Sequence, residues 1–411
     1  VQDYTQKETW DSMKTMTVVG LGYIGLPTAI TLARAGFQVC GFDVNESVLT
    51  QLRGGHIHIS EPGLQEAFSE AVASGNLTFA SRCPSTDAYI ICVPTPFSVE
   101  GQKRRADLRF VRSAAETVAP ALRPGALVIL ESTVPPKTTE MMAEILEKGS
   151  GLTRDQFYTA HCPERIIPGR MLVELRENDR IIGASTPEAA KLVLEIYSKL
   201  VDGGKLHVTD DVTAEMCKLT ENTYRDINIA FANELSMICE QIDVDVFKLI
   251  ELANCHPRVN ILTPGAGVGG HCIAVDPWFI HERFEDDTPL ILAARLENDK
   301  KPHYVAEKVA TLVEQGAKIA VLGMAYKPNV DDLRESPSII LCEHLKSLGF
   351  SVLCCEPNAH TAEIHGFPNL SLADAIDQAD FSVITLAHNE FKNDKKTIAK
   401  KPFYDCIGLM R

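Results

Sequence analysis

Residues 20–25 read Gly-Leu-Gly-Tyr-Ile-Gly and lie between an apolar, strand-like run and a stretch whose apolar residues have helical spacing. A second strand-like run follows and ends in Asp43. In this context Gly20 permits a tight turn, Gly22 lets a phosphate approach backbone at a helix N-terminus, and Gly25 lets helix and strand pack closely. The pattern predicts a dinucleotide-binding domain, with an unliganded glycine-rich turn as the alternative.

Asp43 indicates which dinucleotide is bound. A carboxylate at this position accepts hydrogen bonds from the adenosine ribose and repels a 2′-phosphate, which favours NAD over NADP.

Two further turns, residues 93–96 and 131–135, follow strand-like runs. Ligands lie beyond the carboxyl ends of parallel strands, so Thr95 and Thr133 are candidate cofactor contacts, with ordinary turn chemistry as the alternative.

Strand-like runs alternate with helical stretches at both ends of the chain, which is typical of parallel α/β sheets. The runs are 16–21, 38–43, 88–93 and 126–131 near the start, and 318–324, 351–355 and 381–386 near the end. Between them, residues 212–241 have helical spacing without Pro or Gly. We therefore predict an α/β protein with two Rossmann-like doubly wound domains, joined by a central helical domain with a long connecting helix. The predicted domains are residues 1–207, 208–310 and 311–411.

The composition narrows the class of protein. The 411 residues are 45% hydrophobic and 23% charged, the profile of a soluble globular protein with two or three domains. A formal net charge of −15 argues against a nucleic-acid partner, because such proteins normally present a basic face. No run reaches the roughly 18 apolar residues that span a bilayer. Because residues 1–14 are polar and unlike a signal peptide, we expect a cytoplasmic protein without a membrane partner.

Residues 265–272 read Gly-Ala-Gly-Val-Gly-Gly-His-Cys, and so many glycines indicate backbone that adopts unusual dihedrals or approaches a ligand closely. The run delivers Cys272 just before the apolar stretch 273–280. A thiol at a helix N-terminus is a better nucleophile because its pKa is lowered, and Asp276 lies one helical turn further on. Cys272 is therefore a candidate nucleophile, with a buried structural cysteine as the alternative.

Lys218 and Asn222 share one face of the predicted long helix, where they could polarise a carbonyl or stabilise an oxyanion. A solvated lysine is the alternative. The segment 161–165 reads His-Cys-Pro-Glu-Arg, whose spacing fits no common metal site, and a loop that presents Glu164 and Arg165 to a ligand is the better interpretation. None of the 12 cysteines forms a Cys-x-x-Cys pair, so we expect reduced thiols and no metal.

Taken together, these motifs resemble the UDP-glucose/UDP-N-acetylmannosamine dehydrogenase family of two-step, NAD-dependent sugar oxidases. The resemblance extends from about residue 17 to residue 411. The matching stretches are GLGYIGLP at 20–27, VPTP at 93–96, ESTVPP at 131–136, CPER at 162–165, EMCKLTENTYRDINIAFANE at 215–234, HPRVNILTPGAGVGGHCIAVDPWF at 256–279 and KPNVDDLRESPS at 327–338.

Within the family the sequence looks like the UDP-N-acetyl-D-mannosamine branch. Members that act on UDP-glucose usually carry Phe-Gly-Gly-Ser-Cys and a Lys before the Asp, whereas here His271 precedes Cys272 and Val275 precedes Asp276. Those members also carry a second acid where this chain has Pro168, so the role of that acid cannot be transferred.

The resemblance implies a role for each matching residue. Cys272 would be the nucleophile, Lys218 with Asn222 would stabilise oxyanions, and Asp276 and Glu164 would assist proton transfer. Thr133 would serve both catalysis and cofactor binding. The other implied contacts to NAD come from Gly20, Gly22, Tyr23, Ile24, Gly25, Asp43 and Thr95. The implied substrate contacts are Arg165, Ile166, Lys218, Asn222, Arg225, His256, Arg258, Gly267, Tyr326, Lys327 and Arg334. His256 and Arg258 would reach the site of a partner subunit, because the family forms dimers through its central helices.

The implied reaction is a four-electron oxidation of the C6 hydroxyl of a UDP-sugar to a uronic acid, through a cysteine thiohemiacetal and thioester, for surface-polysaccharide precursors. UDP-N-acetylglucosamine and UDP-glucose remain alternative substrates. A single-oxidation hydroxyacid dehydrogenase that uses Lys218 and Asn222 is less consistent with Cys272, because one oxidation needs no nucleophile. A non-catalytic dinucleotide sensor would need none of Lys218, Cys272 and Asp276.

Overall fold

The structure is a computed structural model that describes residues 13–100, 103–166 and 169–411. The chain divides into two compact units, Val1–Leu219 and Thr220–Arg411. The three predicted domains stay a prediction. Within the described ranges, no helix is long and apolar enough to cross a membrane.

The first unit contains an eight-stranded sheet with the order β10-β9-β8-β7-β4-β1-β2-β3. Its strands are parallel except that β9 and β10 run opposite to the rest. A separate antiparallel hairpin is formed by β5 and β6. The strands are β1 (Thr15–Val19), β2 (Gln38–Phe42), β3 (Leu77–Ala80), β4 (Ala88–Ile91), β5 (Phe97–Glu100), β6 (Lys103–Ala106), β7 (Leu127–Leu130), β8 (Tyr158–His161), β9 (Arg180–Ala184) and β10 (Leu206–Thr209).

Apolar side chains cover both faces of this sheet, as expected for a buried parallel sheet. In β7, for example, Leu127 and Ile129 pack into one core while Val128 and Leu130 pack into the other. The helices that supply the outer layers are α1 (Gly25–Arg34), α2 (Glu46–Arg53), α3 (Leu64–Ala73), α4 (Arg109–Val118), α5 (Thr138–Ser150), α6 (Met171–Glu177) and α7 (Pro187–Tyr197). The next helix, α8 (Asp211–Gln241), begins in the first unit and ends in the second.

The second unit contains a four-stranded parallel sheet with the order β12-β11-β15-β16. Its strands are β11 (Lys318–Leu322), β12 (Ser351–Cys355), β15 (Phe381–Ile384) and β16 (Phe403–Asp405), and a small hairpin is formed by β13 (Glu363–Ile364) and β14 (Phe367–Pro368). Its helices are α9 (Val246–Ala253), α10 (Asp276–Arg283), α11 (Pro289–Ala310), α12 (Pro337–Ser347), α13 (Leu372–Gln378), α14 (Asn389–Asn393) and α15 (Lys395–Ile398).

The predicted fold class is confirmed, including the likeness between the two ends of the chain. Gly20 follows β1 with a φ of 88° and donates to the Phe42 carbonyl at 2.8 Å, while Gly323 follows β11 with a φ of 102° and donates to the Cys355 carbonyl at 2.9 Å. The long helix matches its prediction within one residue. Several strands end earlier than predicted, and β4 stops at Ile91, shortly before a proline-containing turn.

Candidate functional site

In the first unit, strands are added on one side of β1 up to β3 and then on the other side from β4 onward. This switch in strand order between β1 and β4 places a ligand crevice at the carboxyl ends of these two parallel strands. The glycine-rich loop follows β1 at this point. A Cβ on Gly25 would lie 1.8 Å from the Gly20 carbonyl oxygen, so only glycine fits there. A Cβ on Gly22 would meet nothing within 4 Å, which leaves open space at the backbone where a pyrophosphate would approach. The residues present therefore fit a dinucleotide.

Two features beside this loop suit an anionic ligand carrying a ribose. Helix α1 has Ile24 at its N-cap and therefore no side-chain cap, which leaves its N-terminus suited to phosphate. The Asp43 carboxylate accepts the Leu21 N–H at 2.8 Å and the Asn45 N–H at 2.8 Å. A carboxylate has about four acceptor positions, so Asp43 is fixed in place and can still accept ribose hydroxyls.

The turns after β4 and β7 are bonded to each other. The Thr95 hydroxyl donates to the Thr133 carbonyl at 2.7 Å, and the Ser132 hydroxyl donates to the Val93 carbonyl at 2.7 Å. In return, the Val93 N–H donates to the Ser132 hydroxyl at 2.9 Å. The structure thus brings Thr95 and Thr133 together at the carboxyl ends of β4 and β7, called here the cofactor edge of the sheet. Their contact with NAD stays a prediction.

Beneath these turns lies a buried carboxylate that the sequence analysis missed. Glu131 accepts hydrogen bonds from Thr28 at 3.0 Å, from Cys92 at 3.2 Å, from Arg180 at 3.2 Å and from Tyr197 at 3.4 Å. Burial, followed by the nearby charge of Glu131, raises the pKa of the Cys92 thiol and of the Tyr197 hydroxyl, so both remain protonated donors. Glu131 therefore connects α1, the end of β4, β9 and α7 through hydrogen bonds beneath the cofactor edge.

Lys218 and Glu164 form a buried pair in the first unit. The Lys218 ammonium donates to the Glu164 carbonyl oxygen at 2.8 Å and lies 3.5 Å from its carboxylate. The other carboxylate oxygen of Glu164 accepts the Ile166 N–H at 2.7 Å. The predicted solvated lysine is thus the wrong alternative, because Lys218 is only 8% exposed. Such a cation can stabilise negative charge on a substrate oxygen.

Neighbouring His161 and Cys162 are both fully buried. Burial, with a smaller contribution from the charge of Lys218, lowers the pKa of His161 to about 3, so the imidazole is neutral. Burial also raises the pKa of the Cys162 thiol. Across the described ranges, no group of three or more His, Cys, Asp or Glu side chains is placed to hold a metal ion.

In the second unit, Cys272, Asp276 and Asn222 form a connected group. The Cys272 carbonyl accepts the N–H groups of Val275 at 3.0 Å and of Asp276 at 2.8 Å. The Asn222 amide donates to the Asp276 carboxylate at 2.5 Å, and both side chains are buried. Regular helix begins only at Asp276, where Pro277 suits the first turn. The expectation that Cys272 directly precedes the helix is therefore wrong, because a separate turn lies between them.

The glycines before Cys272 are required by close packing. A Cβ on Gly269 would lie 2.4 Å from the Glu335 carbonyl oxygen, and a Cβ on Gly270 would lie 2.7 Å from the Tyr326 ring. Gly267 has a φ of 141°, a conformation that side chains disfavour. The Gly270 N–H also donates to the Arg334 carbonyl at 3.1 Å. The structure therefore brings Gly267, Tyr326 and Arg334 together around the loop that carries Cys272.

Arg334 already has an acidic neighbour in this structure. Its guanidinium donates to both carboxylate oxygens of Asp332, at 2.9 and 2.6 Å, and His271 lies 3.9 Å from the same carboxylate. Burial alone would raise the pKa of Asp332, but hydrogen bonds from Arg334 outweigh it and the pKa is lowered. A diphosphate at Arg334 would therefore compete with the Asp332 carboxylate. Lys327, also a predicted substrate contact, lies earlier in the same segment of the chain, and its side chain is half-buried.

The start of the cysteine loop is held by a buried polar network that the sequence analysis also missed. The Asn233 side chain accepts the Gly265 N–H at 2.9 Å and donates to Asn298 at 2.9 Å. Asn298 in turn donates to Asp226 at 2.8 Å, and Arg295 pairs with the same carboxylate. Burial raises the pKa of Asp226 to about 6, against the opposing charge of Arg295.

Three predicted substrate residues have exposed side chains. Arg225, His256 and Arg258 are exposed, and the Arg258 N–H donates to the His256 ring at 3.3 Å. Exposure is compatible with contact to a partner subunit, but that contact stays a prediction.

The second sheet has a carboxylate at the position that corresponds to Asp43, but it is used internally. Glu356 follows β12 and accepts the N–H groups of Met324 at 2.7 Å and of Ala325 at 2.9 Å. It also accepts both the backbone and the side-chain N–H of Asn358 at 3.0 and 3.1 Å. These four bonds fill the usual acceptor capacity of a carboxylate, so Glu356 is unavailable to a ribose.

Comparison with known proteins identifies the family. Three family models match in order: the NAD binding domain of the UDP-glucose/GDP-mannose dehydrogenase family over residues 14–201, its central domain over 212–300 and its UDP binding domain over 320–411. UDP-N-acetyl-D-mannosamine dehydrogenase from Methanococcus maripaludis is 45% identical over 389 residues, covering 93% of this chain and 88% of that protein. NDP-N-acetyl-D-galactosaminuronic acid dehydrogenase from Ralstonia nicotianae is 45% identical over 414 residues, covering 96% of each chain.

Among solved structures, the UDP-D-ManNAc dehydrogenase from Pyrococcus horikoshii superposes with a TM-score of 0.88 at 40% identity, covering 97% of this chain and 96% of that one. The predicted resemblance and the predicted NAD cofactor are confirmed by these matches. The chain is an NAD-dependent dehydrogenase and belongs to the UDP-glucose/GDP-mannose dehydrogenase family.

Proposed function

We propose that this chain oxidises C6 of UDP-N-acetyl-D-mannosamine twice, to UDP-N-acetyl-D-mannosaminuronate, a precursor for surface polysaccharides. Several relatives at about 45% identity are named UDP-N-acetyl-D-mannosamine dehydrogenases, which supports the substrate. The observation that carries the proposal is the cysteine loop, because Cys272 is fixed by its carbonyl to Asp276, which is bonded to Asn222.

A nucleophile explains why oxidation proceeds beyond the aldehyde. When bound, NAD⁺ supplies an acceptor for one hydride from C6 at each of the two oxidations. The Cys272 thiolate adds to the aldehyde carbon, the C=O π bond becomes an alkoxide that takes up a proton, and the product is a thiohemiacetal. Its tetrahedral carbon bears one hydrogen and one hydroxyl, like the original alcohol, so loss of hydride and of the hydroxyl proton gives a thioester. Water then attacks the thioester, the C–S bond breaks, and the carboxylate leaves while the thiolate is regenerated.

The other polar residues manage charge and protons. The Lys218 ammonium stabilises negative charge on the C6 oxygen when the alcohol is deprotonated and when the tetrahedral intermediates form. Asp276, oriented by Asn222, takes the proton from the alcohol or the attacking water. Glu164 holds the Lys218 ammonium through its carbonyl oxygen and its carboxylate. In this role Glu164 assists proton transfer by keeping Lys218 charged and in place.

The substrate is tested with a panel of UDP-sugars and purified protein. We expect the highest kcat/KM with UDP-N-acetylmannosamine, and lower values with UDP-N-acetylglucosamine and UDP-glucose. A second candidate is the N-acetylgalactosamine-type sugar, because a relative named for that uronic acid is equally similar. A higher kcat/KM with UDP-N-acetylgalactosamine would replace the proposed substrate with this one.

We also propose a homodimer with shared substrate sites. Along α8, Tyr224, Phe231 and Ile238 recur every seven residues and are 66%, 49% and 46% exposed. Residues at this spacing lie on one helix face, and an exposed apolar stripe of this kind fits a second copy of the same helix. Exposed Arg258 would then serve the site of the partner subunit.

Subunit mixing tests this arrangement. Cys272→Ala and Arg258→Ala proteins should each be inactive, and subunit exchange should restore part of the activity, because one site of the mixed dimer contains neither substitution. If both residues serve the same subunit, the mixed dimer has two defective sites and stays inactive. A cytoplasmic location is part of the proposal too, and subcellular fractionation of the source cells would test it.

A further inference from the structure

The loop that follows β8, called here the Arg165 loop, is described at residues 162–166 and 169–171, and both pieces are held by hydrogen bonds within the first unit. At its start, Lys218 donates to the Glu164 carbonyl at 2.8 Å, and Glu164 itself accepts the Ile166 N–H. The Arg165 carbonyl accepts the Asn178 side chain at 2.7 Å. Residues 167 and 168 lie outside the described ranges. These bonds fix the first half of the loop that presents Arg165 and Ile166.

The second half of the Arg165 loop is held by a carboxylate from a distant part of the sequence. One oxygen of Glu61 accepts the Gly169 N–H at 2.7 Å, and the other accepts the Met171 N–H at 2.8 Å. Glu61 is buried, and it lies 108 and 110 residues before its partners. Met171 begins α6, whose own N-cap residue Arg170 provides no side-chain cap. Glu61 therefore supplies from outside the acceptor that this helix lacks.

The same arrangement occurs at the end of the turn that carries Thr133. Glu215 accepts the Lys137 N–H at 2.6 Å and the Thr139 N–H at 2.8 Å, at the start of α5. Helix α5 likewise has no side-chain cap of its own. The loops after β7 and β8 thus each lead into a helix at whose start backbone N–H groups donate to a buried carboxylate, Glu215 for α5 and Glu61 for α6.

We propose that Glu61 is a positioning residue for the UDP-sugar. It fixes Gly169 and Met171, and because only two residues separate Gly169 from Ile166, this restricts where Ile166 and Arg165 can lie against the substrate. This inference rests on the proposed function for the identity of the ligand. The hydrogen bonds of Glu61 to Gly169 and Met171 do not depend on it. Glu61 acts through the loop and not through the cofactor, because its two hydrogen bonds go to the loop and to α6.

The test compares Glu61→Gln with Glu61→Asp and with the control Glu66→Gln. Glutamine has the same shape, but its NH₂ group would face a backbone N–H, so one of the two bonds is lost and replaced by repulsion. Aspartate keeps the charge and can still accept at least one N–H. Glu66 lies five residues away on α3, is exposed, and undergoes the same charge change. The readouts are KM for UDP-N-acetylmannosamine and for NAD, kcat, thermal stability, and hydrogen exchange of residues 169–171 without ligand.

For Glu61→Gln we expect KM for the UDP-sugar to rise about tenfold or more, as the loss of a hydrogen bond to a charged group predicts. KM for NAD should stay within about twofold, exchange at 169–171 should speed up, and the Glu61→Asp protein should be intermediate. Glu66→Gln should match wild type in every readout. Unchanged exchange and unchanged sugar KM would overturn the proposal, as would an equal rise in both KM values.

Hydrogen exchange separates this inference from the proposed function. If wild-type protein does not oxidise UDP-N-acetylmannosamine, the proposed substrate fails, and exchange at residues 169–171 still decides whether Glu61 fixes the loop. If the Glu61→Gln protein unfolds, the Glu61→Asp protein carries the same test, with a smaller expected rise in sugar KM.

Discussion

Replacing Lys218 with Met should damage both turnover and stability, because Lys218 is buried and paired with Glu164. Methionine keeps most of the side-chain volume but removes the ammonium that donates to Glu164. The buried Glu164 carboxylate would keep its hydrogen bond from the Ile166 N–H but lose its neighbouring cation. Breaking a buried ion pair by removing one partner costs about 3 kcal/mol or somewhat more. Loss of one oxyanion-stabilising group costs about a hundredfold to a thousandfold in kcat.

A double-mutant cycle separates the two effects. The proteins are Lys218→Met, Glu164→Gln and the double variant, each assayed for kcat and for the free energy of unfolding in denaturant. Because the two side chains interact, the double variant should be less destabilised than the two single costs added together, by about 1–3 kcal/mol. The control is Lys148→Met, since Lys148 is exposed and 4.0 Å from Glu144. Its unfolding free energy should change by less than about 0.5 kcal/mol.

Two results would refute this reasoning. Strictly additive unfolding costs would show that Lys218 and Glu164 do not interact as the structure indicates. Turnover of the Lys218→Met protein within about tenfold of wild type, a barrier change of about 1.4 kcal/mol, would show that Lys218 does not stabilise the reacting oxygen.

Three further predictions follow from particular side chains. Asp43→Ser should raise kcat/KM with NADP relative to NAD, because a carboxylate that repels the 2′-phosphate is lost; a wild-type enzyme equally active with both dinucleotides would contradict this. Cys272→Ser should lower kcat on the order of a thousandfold or more while UDP-sugar still binds, whereas Cys217→Ser should be mild, since its side chain points roughly 100° away from Lys218 on α8. Burial raises the pKa of Glu215 from 4.5 to about 7. The folded state thus holds this proton more tightly, and Glu215 lowers stability as pH rises from about 4.5 to 7, by about 3 kcal/mol in all. Glu215→Gln should remove that slope, and parallel unfolding curves of the two proteins against pH would show that the pKa is not raised.

The cofactor edge could be predicted from sequence because its chemistry is encoded locally. The spacing of Gly20, Gly22 and Gly25 after a strand, followed by Asp43, specifies the turn, the phosphate approach and the ribose contact within one βαβ unit. The cysteine loop was visible for the same reason, since its glycines and Cys272 are contiguous. The start of α10 was misplaced because an apolar run does not distinguish a turn from the first turn of a helix.

The residues that hold these loops in place could not be predicted. Glu61 accepts from backbone groups 108 and 110 residues away, and Glu131 accepts from Thr28 at a separation of 103. Neither residue has a local pattern that distinguishes it from the other acids of the chain. Asn233 likewise belongs to a long helix whose sequence indicates only amphipathic spacing. Such contacts depend on how distant elements pack, which periodicity does not reveal.

The number of NADH molecules formed per sugar tests the central claim most directly. Purified protein, excess NAD⁺ and a limiting, known amount of UDP-N-acetylmannosamine are allowed to react to completion, and NADH is measured by absorbance while the product is identified by mass. Covalent catalysis through Cys272 predicts two NADH per sugar and a uronic acid as the product. One NADH per sugar, with the aldehyde as product, would contradict the two-step mechanism.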